Sequence, residues 1–163
     1  MINEIFDYQR ILMNSEVRQL NDLLVSIYNE IVKFENTAIQ DGPFPDLSVT
    51  EMHTLESIGR ERAKAMNEVA QNLGVTVGTL SVSIKRLVAK GYVEREQDEK
   101  DRRLVLVRLT ERGRRAERIH AWFHSLLMKA TLAKLPPEEI RVLMSALTNL
   151  NGFFREYMQK SGN

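Results

Sequence analysis

The chain of 163 residues is 43% apolar and 28% charged, the balance of one folded domain and not of a disordered tail. It contains no cysteine, which excludes a disulfide framework, a thiolate zinc site, a cysteine nucleophile and thiol-based redox sensing. No run approaches about 18 apolar residues, and Met1-Ile2-Asn3-Glu4 lacks the basic, apolar start of a secretion signal, so a cytoplasmic protein without membrane contact is expected. The net charge of +1 hides a segregation, with −7 on residues 1–59, +6 on residues 60–118 and +2 on residues 119–163. A basic middle suits a polyanionic partner, although a solvated charged face has the same composition.

In chain order, Val17, Leu20, Leu24, Ile27, Ile31 and Phe34 recur at spacings of 3, 4, 3, 4 and 3, one narrow seam of a helix. Asp41-Gly42-Pro43-Phe44-Pro45 ends that helix near residue 40, because proline cannot continue the hydrogen-bond ladder. Ser48-Val49-Thr50-Glu51 then reads as a capping box opening a second helix that runs to about Ile58. The strands predicted are Tyr92 to Gln97 and Leu104 to Leu109, joined by the charged turn Asp98 to Arg103. Thr110 caps a long helix reaching about Lys134, with Ala116, Ile119, Phe123, Leu127 and Ala130 along one face. After Pro136-Pro137, Ile140, Leu143, Leu147, Leu150, Phe154 and Tyr157 repeat the first seam's spacing.

Between these flanks, Asn67 to Leu80 reads as a short helix, a turn at Gly74 and a second helix, which is helix-turn-helix grammar. Thr76 caps the second helix, which runs from Val77 to Lys90 and is closed by Gly91. Helical spacing puts Val77, Leu80, Ile84, Leu87 and Val88 on an inner side and Gly78, Thr79, Val82, Lys85 and Arg86 on an outer side. Small residues near the start let such a helix approach base edges, while the later basic residues meet phosphates or guanine. Val82 is a mild solubility fault on a surface helix but an apolar contact against a thymine methyl. Thr79, Val82 and Arg86 suit base reading; Lys85, Arg102 and Arg103 suit phosphates and the minor groove. Asp101 stands two residues before Arg103 and is placed to hold that arginine extended by an ion pair.

Helix plus hairpin makes a winged helix, and from Asn67 to Gly113 the chain resembles the MarR family of winged-helix transcriptional regulators. The residues that carry the resemblance are Val69-Ala70, Leu73-Gly74-Val75, Leu87, Lys90-Gly91-Tyr92-Val93-Glu94-Arg95, Asp101-Arg102-Arg103, Leu109-Thr110 and Gly113. It covers essentially the whole chain except about 14 residues at the start. Glu51-Met52-His53-Thr54, Val77-Gly78-Thr79, Gly91 to Arg95 and Leu147-Thr148-Asn149-Leu150 are similar to the branch that represses fatty-acid biosynthesis genes. Many members carry a basic residue where this chain has Val82, so their sequence preference does not transfer.

The resemblance implies a mostly α fold in three parts: N-terminal dimerisation helices over 1–47, a winged helix-turn-helix DNA-binding domain over 48–110, and C-terminal helices over 111–163 completing the dimer interface. It implies a homodimer on a palindromic operator in double-stranded DNA, with Thr76, Gly78, Thr79, Val82, Lys85, Arg86, Asp101, Arg102 and Arg103 at the interface. The extra segment Ile2 to Met13 is expected over the dimer junction. The branch implies an acyl chain on acyl carrier protein as effector.

His120 and His124 lie four residues apart on one helix flank, and His53 occupies a similar flank of the second helix. On the family's plan those helices touch, so His53, His120, Phe123 and His124 border one effector cavity. Its occupant is an acyl-type effector, polar packing of the histidines alone, or zinc, since some MarR relatives that sense zinc carry a His-x-x-x-His pair here. Glu35, His53, His120 and His124 are the metal-ligand candidates. No phosphate-cradling glycine loop or Gly-x-Ser-x-Gly elbow is present, so catalysis is not expected and no cofactor is required. The competing class is a helical interaction protein that binds no DNA, which would leave the hairpin unexplained.

Overall fold

Helix boundaries follow the local chemistry. The computed structural model describes residues 15–98, 101 and 104–161. The segment Ile2 to Met13 lies outside them, as do Arg102 and Arg103. Helix α1 (Ser15–Gln40) stops before the glycine-proline stretch, and α2 (Val49–Ile58) opens on a complete capping box. There the Ser48 hydroxyl accepts from Glu51 N at 3.2 Å and the Glu51 carboxylate accepts from Ser48 N at 2.9 Å.

The two-residue strand β1 (Lys64–Ala65) leads into α3 (Met66–Leu73), which is joined by Gly74 to α4 (Val77–Ala89). Gly74 has φ 66°, a left-handed conformation that glycine adopts without a Cβ clash. Strands β2 (Val93–Gln97) and β3 (Val105–Leu109) follow, then α5 (Glu111–Leu132) and α6 (Pro137–Ser161). The strands begin one residue later than the alternation predicts, and α5 ends before Lys134. Lys90 is the C-cap of α4 and not its last helical residue. These are fraying differences at element ends. β1 is the one element that periodicity does not reveal; it pairs Lys64 with Val107 and Ala65 with Leu106, giving the antiparallel order β1-β3-β2.

The chain divides into two compact units at Glu117/Arg118. The first unit holds a core in which Leu55, Ile58, Val69, Ile84, Leu87 and Tyr92 are wholly buried. Its α1 buries only Glu35 and Ile39; Leu20, Ile27 and Phe34 of the predicted seam stay more than half exposed, at 57%, 53% and 56%. In the second unit the α6 seam is similarly open, with Leu147 at 48%, Phe154 at 55% and Tyr157 at 60%. Both seams exist as helix faces and stand largely open among the described residues.

Where β3 passes into α5, Thr110 Oγ1 accepts from Gly113 N at 3.1 Å, and a Cβ on Gly113 would meet the Tyr92 carbonyl oxygen at 2.1 Å. Backbone atoms cannot move aside as a flexible side chain does. Gly113→Ala is therefore expected to lower unfolding free energy by about 1–3 kcal/mol, the cost of overpacking a tight site, read as a lower urea midpoint. An unchanged midpoint would show that α5 starts without this close approach.

Candidate nucleic-acid interface

Helix α4 is anchored by Leu80, Ile84 and Leu87, all buried, and its opposite side faces outward. Thr76, Gly78, Thr79, Val82, Lys85 and Arg86 are exposed, with Val82 at 52%. Val77 and Val88, assigned to the inner side by helical spacing, are exposed at 42% and 39%. They sit near the two helix ends, where the correct angle is not enough because the body beneath does not cover them. Val77 borders a shallow hollow shared with Ser81, Arg95 and Leu104.

Thr76 Oγ1 accepts from Thr79 N at 3.1 Å and lies 2.9 Å from Thr79 Oγ1, so the cap also orients the Thr79 hydroxyl on the outer side. Gly78 has only Thr76 Oγ1 within reach of a Cβ, at 3.7 Å, an ordinary contact. Among the described residues nothing requires glycine there. Glycine there costs about 1 kcal/mol of helix stability relative to alanine.

The wing beside α4 is the β2–β3 hairpin. Asp98 N donates to Leu104 O at 3.0 Å, Leu104 N to Asp101 O at 2.8 Å, and Asp101 N to Asp98 Oδ1 at 2.8 Å, which closes the turn from both sides. The expected Asp101–Arg103 pair falls outside the described residues, as does the Arg102 contact. Arg95 is exposed on β2 at the rim of the hollow beside α4, a position that depends on strand placement and so left no signal in spacing.

The histidines fall in two pairs of groups, one in each unit. In the first, His53 Nε2 lies 3.4 Å from Oε1 of the buried Glu35. In the second, His120 and His124 bring their Nε2 atoms to 3.0 Å, and Phe123 stacks on His120 with ring centroids 6.2 Å apart. His120 is buried, while Phe123 and His124 are half-buried.

A polar cluster that no spacing rule marks lies at the far end of α4. Lys90 Nζ donates to both oxygens of Glu51, at 2.8 and 2.7 Å, and to the Asp46 carbonyl. Burial works to raise the Glu51 pKa, but the Lys90 hydrogen bonds and charge, with the Ser48 backbone and hydroxyl, hold it below the usual carboxylate value. Tyr92 donates to Asp46 Oδ1 at 2.7 Å, and burial together with that carboxylate pushes the phenol up to about 12.

Residues 47–113 match the winged helix DNA-binding domain family HTH_27. Among solved structures, Streptococcus pneumoniae FabT in complex with DNA is similar at TM-score 0.81 and 36% identity, over 86% of this chain and 98% of that one. The S. aureus MepR–DNA complex shares the fold at TM-score 0.69 and 20% identity, over 83% of this chain and 97% of that one. The HTH-type transcriptional regulator BilQ of Clostridium symbiosum is 31% identical over 57% of this chain and 65% of its own length. The Bacillus subtilis HTH-type transcriptional regulator YfiV is 28% identical over 65% of this chain and 66% of its own. The match thus spans just under two thirds of either curated relative.

Proposed function

Starting from the fact that the chain belongs to the MarR family of winged-helix, DNA-binding transcriptional regulators, we propose that it is a repressor. It binds a palindromic operator as a homodimer, and an acyl-type effector controls it. The observation that carries this reading is the outer side of α4, where Gly78, Thr79, Val82, Lys85 and Arg86 stand exposed on a helix anchored from behind. An exposed valine between polar and basic neighbours gains nothing from water and gains an apolar contact from a thymine methyl. Val82→Ser is accordingly expected to leave the fold intact and to change the base preferred at one operator position, measured by selecting duplexes from a random pool. Identical selected sequences for both proteins would remove Val82 from base reading.

The open seams of α1 and α6 support a two-fold dimer, because contiguous apolar faces of this size mark interaction surfaces. On this reading, helices before residue 48 and after residue 110 pair the subunits, and the part between reads DNA. The effector reading is supported by the branch-like motifs Glu51 to Thr54 and Leu147 to Leu150, whose resemblance implies acyl control. An acyl chain on acyl carrier protein would shift the balance between two spacings of the reading heads. Titrating long-chain acyl carrier protein while following operator affinity tests it; an unchanged affinity rejects acyl control and leaves the DNA reading standing.

A second effector reading is favoured by the imidazole geometry. Two ligands about 2.0–2.1 Å from a tetrahedral zinc ion are about 3.3 Å apart. The His120–His124 separation of 3.0 Å and the His53–Glu35 separation of 3.4 Å are each close to that value. On this reading zinc held by the His120–His124 pair tunes operator affinity. Zinc titration with and without His120→Ala decides it: a zinc response lost in the variant supports zinc, and an absent response rejects it.

A further inference from the structure

The polar cluster at the end of α4 joins three stretches that are remote in sequence: 44–51, 90–92 and 110–112. Lys90 Nζ, at the C-cap of α4, is held by the carboxylate that caps α2. The Glu51 side chain is 8% exposed and that of Lys90 32%. Arg112, in the first turn of α5, donates from Nη1 to the Lys90 carbonyl at 2.9 Å and from Nη2 to both Asp46 oxygens at 3.3 Å. Its guanidinium lies 4.3 Å from the centroid of the Tyr92 ring. Tyr92 is wholly buried, meets Phe44 edge-on with centroids 6.0 Å apart, and donates a hydrogen bond from its hydroxyl to Asp46. Thr110 Oγ1 donates to the Gly91 carbonyl at 2.7 Å and Thr110 N to the Tyr92 carbonyl at 3.0 Å.

Two chain connections meet here. Residues 41–48 carry α1 into α2, and Thr110 carries β3 into α5, so both links between the DNA-reading body and the long helices are bonded to Lys90-Gly91-Tyr92. The half-exposed Arg112–Asp46 pair adds little stability in water, so stability is a poor reason for it to close the cluster. Its directional hydrogen bonds fix angles instead. The phenol, with its raised pKa, stays protonated and donating throughout the physiological range.

We propose that Lys90, Tyr92 and Arg112, closing on Asp46 and Glu51, form a joint that sets the angle of the reading helix against both chain connections and thereby the half-site spacing the protein accepts. These are positioning residues; none of them touches a base. The proposal rests on the reading of the chain as a dimeric operator binder.

The test uses the full-length protein and a duplex it selects from a random pool, together with versions whose half-sites are moved one or two base pairs apart. The wild type should bind the selected spacing and lose affinity steeply at the others. Lys90→Met should lose about tenfold at the selected spacing and show a shallower penalty at shifted ones, with the salt slope unchanged. A lost phosphate contact would instead lower that slope by about one. Arg112→Met, which leaves the Lys90–Glu51 pair in place, should behave likewise, so the proposal stays testable where Lys90→Met does not fold. A spacing profile superimposable on the wild type in both variants overturns the joint, as does a lowered salt slope with an unaltered profile. A wild type without spacing dependence overturns the dimeric reading and the joint together.

Discussion

Leu147→Glu combined with Phe154→Glu is expected to convert the protein into a monomer at micromolar concentration and to lower operator affinity by about 10²–10⁴-fold, the advantage of linking two reading heads. Both side chains are about half exposed in the single chain, at 48% and 55%, and both lie within α6, where glutamate is a good helix former. The substitutions therefore leave the subunit's own core untouched. In the proposed dimer these positions would lie in the apolar interface, where each carboxylate would lose its water. Light scattering reports the mass and circular dichroism the retained helix. A folded dimer with unchanged operator affinity would place the subunit contact elsewhere.

Arg86→Ala should weaken operator binding by about 10- to 100-fold, equivalent to about 1–3 kcal/mol for one base-reading contact, and relax the preference at a single position. Lys85→Ala should weaken operator and unrelated duplexes alike and lower the salt slope by about one. Both side chains are exposed on α4, clear of the buried Leu80, Ile84 and Leu87, so neither change should alter folding. Equal loss on all duplexes for Arg86→Ala would make it a phosphate contact as well, and would pass base reading to Thr79 and Val82.

What could be read from the residues alone was whatever is set within a few positions. The Ser48–Glu51 capping box, the Gly74 turn and the Thr76 cap depend on neighbours three or four residues away, and all three lie where spacing puts them. The two seams were legible as periodic faces because a helix imposes its period wherever it packs. Val77 and Val88 were misplaced because burial at a helix end depends on what lies beneath it, which no period encodes. Strand β1 is too short for alternation to register, and only its pairing with Val107 and Leu106 makes it a strand. The cluster around Lys90 was invisible for the same reason: Lys90 meets Glu51 across 39 positions and Arg112 meets Asp46 across 66. The tip of the wing, with Arg102 and Arg103, lies outside the described residues, so the minor-groove contact rests on the sequence pattern.

If the exposed side of α4 reads duplex DNA, a fluorescence-anisotropy titration over a series of salt concentrations will show it. Tight binding to a selected duplex is expected at about 50 mM salt, with log affinity falling linearly as log salt rises and by about one unit of slope less in Lys85→Ala. No binding to any duplex at that salt, with or without acyl carrier protein or zinc, would contradict it and favour a helical protein that acts through protein contacts alone.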